Sequence, residues 1–273
     1  MLDRSCGPGG RPVRGDPQDQ AAGLRRMFEV PEPQWLPVLL GPERDGSDAP
    51  WLATLARACV DQGARTVVVD AARAQVAAAF GLRARYDLAH AFNGDCLPSD
   101  ACSAAGANLR ILPAARALEH AGRSKQRLRR FEAGVRALSQ RADCVLLALP
   151  GHHGNCLAGF SGTGGFADAI VVAGPGPRGP MAAIETMRSI LSAADIDTFR
   201  LLFQGMDKGC AGSLYSKLAA LAARELGART SDAGSVQDAA AIRRLVRLVR
   251  CRSIPGGGHA RGTESGKAVE IVS

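Results

Sequence analysis

The chain of 273 residues is 46% hydrophobic and 22% charged, the balance of an ordinary globular protein with enough length for one large domain. Aromatic residues make up only 4%, so the core must be built from Ala, Val, Leu and Ile, and a formal charge of +8 favours an anionic partner. No apolar run reaches the roughly 18–20 residues that cross a bilayer, which excludes a membrane-spanning helix.

Residues 1–18, MLDRSCGPGGRPVRGDPQ, are rich in Gly, Pro and Arg and predict a disordered segment. Their basic residues have no apolar stretch behind them, so no secretory signal is expected and the cytoplasm is the expected compartment. Residues 19–29 begin DQAAGLRRM and predict a short helix, with Asp19 as N-cap and Leu24, Met27 and Phe28 on an apolar edge. Gly23 costs this helix about 1 kcal/mol relative to Ala, so it is marginal without a partner.

From residue 30 to 238 two patterns alternate. Short apolar runs at 36–40, 66–70, 109–112, 144–149, 169–173 and 198–203 predict strands buried on both faces. Ala-rich stretches at 50–62, 72–80, 124–140, 180–194 and 212–226 predict helices. Strands alternating with helices give an α/β fold, a mostly parallel, doubly wound sheet flanked by helices in a single domain.

The cysteines, Cys6, Cys59, Cys96, Cys102, Cys144, Cys156, Cys210 and Cys251, form no CxxC pair and no Cys/His cluster. Free thiols in a reducing compartment and no metal site are expected. His152 and His153 follow the fourth core strand, with Asn155 and Cys156 beside them. A Cys/His nucleophile pair is conceivable there, but a polar loop is the preferred reading. The glycine-rich stretch 159–165 has no lysine and predicts a mobile loop.

Residues 239–252, AAAIRRLVRLVRCR, form a basic amphipathic helix. At 100° per residue Ile242, Leu245, Val246, Leu248 and Val249 share one side, and Arg243, Arg244, Arg247 and Arg250 the other. Such a helix is either the last helix of the domain or an interfacial helix on anionic lipid. At about 1 kcal/mol per basic residue, five arginines would contribute up to about 5 kcal/mol to membrane attachment. Residues 253–273, opening on Pro255-Gly256-Gly257-Gly258, predict a disordered tail.

The DQAxxLR pattern ahead of an α/β unit resembles the amino-terminal motif of the FlhG (FleN, YlxH) family, MinD/ParA-like proteins that set flagellar number and placement. The matching positions are Asp19, Gln20, Ala21, Leu24 and Arg25. Further stretches resemble the family in the same order: GARTVVVDAA (63–72), residues 86–115, ADCVLLALPG (142–151) and residues 167–187. The resemblance covers about residues 19–250 and implies a MinD/ParA-like P-loop NTPase fold. It implies contact between the 19–29 helix and an FlhF-type GTPase, whose GTP hydrolysis the family stimulates, and restraint of a flagellar transcription activator. It further implies peripheral attachment of the 239–252 helix to the anionic inner-membrane surface, at the flagellar pole.

The same resemblance implies ATP and Mg²⁺ as cofactors, and here the residues depart from it. The family loop is KGGxGK followed by Ser or Thr, with glycines that admit phosphate to backbone N–H groups and lysines that neutralise it. Residues 41–49, GPERDGSDA, fall over this loop and include Gly41 and Gly46. Glu43 and Asp48 fall at the two lysines, and Ala49 at the magnesium-binding hydroxyl. Each reversed contact, at about 4 Å and an effective dielectric of 20, is worth about 4 kcal/mol. Asp70 is kept, but Ala72 replaces the second acid of the family's Asp-Ala-Asp and Ala148 its switch aspartate. A degenerate site of Gly41, Glu43, Gly46, Asp48, Ala49, Asp70 and Ala148 is expected to bind neither ATP nor Mg²⁺ and to leave no catalytic residue. The competing expectations are an active MinD/ParA-type ATPase and a nucleic-acid binder using the arginine helix; low aromatic content argues against the second.

Overall fold

Apolar segments without polar alternation must be covered on both faces, and the chain achieves this with one sheet between two helical layers. A computed structural model describes residues 32–42, 48–160, 166 and 168–246. The expected disordered segment 1–18, the 19–29 helix and the tail 253–273 lie outside these residues. The strands are β1 (Gln34–Leu40), β2 (Thr66–Asp70), β3 (Ser103–Gly106), β4 (Leu109–Pro113), β5 (Cys144–Pro150), β6 (Ala169–Ala173), β7 (Thr198–Phe203) and β8 (Arg229–Ser235). They form a sheet in the order β3-β4-β2-β5-β1-β6-β7-β8, parallel except for the β3–β4 pair. Every residue of β2, β5 and β6 is buried.

One face is covered by α1 (Asp48–Asp61), α2 (Val76–Ala79) and, beyond β8, α8 (Ala239–Val246). The other carries α3 (Leu88–Asn93), α4 (Ala115–Ala121), α5 (Lys125–Ser139), α6 (Arg178–Ala193) and α7 (Lys208–Leu226). Register separates the two cores within each strand: Leu36, Val38 and Leu40 of β1 face the first layer, while Trp35 and Leu39 face the second.

All six expected strands and the four longer expected helices are present. The expected helix 72–80 shrinks to Val76–Ala79. Residues 71–75 instead wrap around the Asp70 carboxylate, with Arg73 and Gln75 in the left-handed region at φ 57° and 59°. The stretch after β5, expected as a loop, forms two 3₁₀ pieces over Gly151–Phe160 that meet at a kink at His153. The last helix begins at Ala239 and packs on the domain. Its Ala241 is buried, and Ile242, Leu245 and Val246 are buried in the core shared with Trp51 and Leu52.

A buried carboxylate ties the short helices together. Asp87 accepts hydrogen bonds from the amides of Ala89 (2.9 Å), Arg116 (3.1 Å) and Ala117 (3.1 Å), so it caps α3 while holding the start of α4. Asp87→Ala would orphan three backbone donors and is expected to cost about 2–4 kcal/mol, read as a lower urea midpoint. A loss below about 0.5 kcal/mol would show that these amides find other partners.

Candidate functional site

In an open parallel sheet, polar groups from different strands converge at the carboxyl-terminal edge, beside the strand where the chain changes direction. That strand is β1, which lies between β5 and β6. A cavity of about 470 Å³ opens here, lined among others by Gly41, Pro42, Gly151, His152, Glu185 and Thr186. Gly151 is required by close packing. A Cβ there would stand 2.5 Å from Thr186 Oγ1 and 3.1 Å from the Leu40 carbonyl oxygen. Sequence reasoning did not single out Glu185 or Thr186; the usable signal was Thr186 itself, a polar residue on the buried face of α6.

The residues expected at the degenerate phosphate loop divide. Gly41 follows β1, while Glu43 and Gly46 lie outside the described residues. Asp48 and Ala49 open α1, and both are buried. Asp48 is only 3% exposed and its Oδ1 accepts from the indole Nε1 of Trp51 at 3.3 Å. A carboxylate in the first turn offsets the helix dipole, the role phosphate plays at a P-loop helix. Ala148 sits fully buried within β5, paired with Val38 on one side and Asp70 on the other.

Asp70, at the end of β2, is 6% exposed. Its two oxygens accept from the amides of Ala74 at 2.8 Å and Val76 at 3.1 Å. Burial pushes its carboxyl above the usual carboxylate range, against the backbone hydrogen bonds that hold it down. Its acceptor capacity is spent on its own loop.

The fold type implies Mg²⁺ and a nucleoside triphosphate, and the residues present do not fit that pair. Residues 41–49 carry Glu43, Asp45 and Asp48 against one cation, Arg44, and no lysine. Asp48 is packed inward, Ala49 offers no oxygen, and Asp70 already holds its loop. Among the described residues no cluster of His, Cys, Asp and Glu could hold a metal ion.

The histidine pair makes no nucleophile. His152 and His153 stack with ring centroids 4.4 Å apart, and His153 Nδ1 lies 3.9 Å from Cys156 Sγ. Cys156 is 3% exposed; burial, with help from the Glu132 charge, pushes its thiol up to about 11. At neutral pH it is a protonated, inert side chain.

The interfacial reading of 239–252 is corrected in its described part. Ile242, Leu245 and Val246 are 0–3% exposed against α1, so the edge assigned to lipid is already covered by the protein's own core. Arg243 and Arg244 face solvent, with Arg244 3.9 Å from Asp238. Arg247, Leu248, Val249 and Arg250 lie outside the described residues, as do Asp19, Gln20, Ala21, Leu24 and Arg25. No helix among the described residues is long and apolar enough to cross a membrane.

No protein-family model matches the chain, and no curated protein matches it in sequence. Solved structures do match in fold. MinD cell division protein of Aquifex aeolicus aligns with a TM-score of 0.57 at 15% identity, covering 81% of this chain and 98% of that one. A plasmid partition protein of Borrelia burgdorferi gives 0.57 at 9% identity, over 80% and 99%. Cobyrinic acid a,c-diamide synthase of Mycobacterium smegmatis, with bound ATP analogue and magnesium, gives 0.57 at 18% identity, over 80% and 94%. The eight-stranded, mostly parallel sheet flanked by helices is therefore the MinD/ParA-type P-loop NTPase fold, in a single domain spanning most of the chain.

Two measurements check these assignments. The folded chain holds the Asp70 proton to higher pH than the unfolded chain, so its stabilisation is present at low pH and lost as pH rises through the raised value. Urea unfolding of wild type and Asp70→Asn from acid to neutral pH should show the stability difference moving in the variant's favour as pH rises; a pH-independent difference contradicts the assignment. Iodoacetamide at neutral pH should leave Cys156 unmodified until denaturant is added, and rapid alkylation of the native chain would contradict an inert thiol.

Proposed function

We propose that this chain is an FlhG-like regulator of flagellar number and placement that acts by protein contact on an inert nucleotide scaffold. Its amino-terminal segment, with Asp19, Gln20, Ala21, Leu24 and Arg25, engages an FlhF-type GTPase and stimulates GTP hydrolysis. Neither ATP nor Mg²⁺ is bound at the β1–α1 loop, and the chain hydrolyses nothing itself.

The observation that carries this reading is the fate of the acids at the nucleotide edge. Asp70 is spent on the amides of Ala74 and Val76, and Asp48 is buried in the first turn of α1. A MinD/ParA-type scaffold whose edge acids are bonded within the protein, Asp70 to backbone amides and Asp48 to the Trp51 indole, retains a surface and loses a reaction. With Ile242, Leu245 and Val246 in the core, the described part of the last helix belongs to that scaffold.

The test is the GTPase rate of an FlhF-type enzyme with and without this chain. Wild type is expected to stimulate it, and Gln20→Ala and Leu24→Ala to weaken the effect about tenfold or more, as contact residues at the centre of an interface do. No stimulation by the intact chain, or variants equal to wild type, would overturn the proposal.

A further inference from the structure

On the face opposite α1, the surface between α3, α4 and α5 encloses a second cavity of about 290 Å³. Its rim carries His120, Arg123, Arg127 and Arg130, and its floor is Phe92 with Ala89, Ala117 and Ala121. The arginines come from the run RSKQRLRR at 123–130, which holds five cations and no acid. No carboxylate lines the cavity. Glu119, beside His120, pairs with Arg73 at 2.6 Å, and Asp87 accepts from three backbone amides. Cations gathered in a concavity without counter-charge repel one another, and that repulsion is relieved only by an anion from outside.

The cavity is built rather than incidental. The guanidinium of Arg130 lies over the Phe92 ring, 4.9 Å from its centroid, and donates to the Phe92 carbonyl oxygen. The ring itself rests on Gly134 of α5, where a Cβ would come within 2.7 Å of Phe92 Cε1. A glycine inside a helix costs about 1 kcal/mol, and here it admits the aromatic floor. Arg130 is thus held in place, leaving Arg123 and Arg127, both exposed, to reach an incoming anion.

We infer that this cavity binds a small phosphate compound, a diphosphate or longer, with Arg123 and Arg127 as its principal ligands. Guanidinium groups match phosphate oxygens through paired charge-assisted hydrogen bonds. The volume lies at the small end for ligand pockets, which fits a compact polyanion and excludes a large cofactor. The site is independent of the contact function proposed above and lies on the sheet face opposite α1.

Calorimetric titration of the full chain with inorganic pyrophosphate and tripolyphosphate at low ionic strength tests the proposal. Saturable one-site binding is expected, weakened about tenfold or more by Arg123→Ser and by Arg127→Ser, the loss of one charge-assisted hydrogen bond each. Gly134→Ala, which displaces the floor, should weaken it too, with unchanged circular dichroism. No saturable binding, binding indifferent to both arginine variants, or an equal response to sulfate would overturn the proposal. So would arginine-dependent sedimentation with phosphatidylglycerol vesicles in a chain that ignores free pyrophosphate, which would assign the patch to a membrane surface.

Discussion

A sheet buried on both faces leaves its interior no water, so each carboxylate near it must be answered by a fixed donor. This constraint governs the rim where Asp48, Asp70 and Asp87 lie. Asp87 caps two helices at once, Asp70 draws its own loop back over itself, and Asp48 closes the first turn of α1 onto Trp51. Each answer is internal.

Fold and edge chemistry are separate properties of such a chain. The chain shares the fold of MinD and of a plasmid partition protein, a mostly parallel sheet flanked by helices. The chemistry that such an edge can carry depends on a handful of side chains, and those present hold the edge together instead. Exposed basic groups lie elsewhere: at the arginine-rimmed cavity and, on α8, at Arg243 and Arg244.

The central strands were legible because burial on both faces removes polar alternation, as in TVVVD of β2 and AIVVA of β6. The edge strands were not. Ser103–Gly106 and Arg229–Ser235 are mostly polar or small and half-exposed, and only pairing with β4 and β7 makes them strands. Residues 72–75 have helix-forming composition, yet the Asp70 carboxylate takes the amides of Ala74 and Val76, with Arg73 and Gln75 in left-handed backbone. The loss of lysines at 41–49 could be read directly, but not that Asp48 and Asp70 would be answered by Trp51 and by local amides. The apolar edge of the last helix was equally visible; amphipathicity alone does not say whether core or lipid covers it, and α1 covers it here.

The claim on which everything turns is that the β1–α1 loop has no affinity for nucleotide. Mg·ATP titrated into the Arg127→Ser chain isolates that loop from the arginine-rimmed cavity. No saturable heat is expected at millimolar nucleotide, on the order of 4 kcal/mol being lost with each reversed contact. Saturable binding in the micromolar range, with magnesium required, would contradict it.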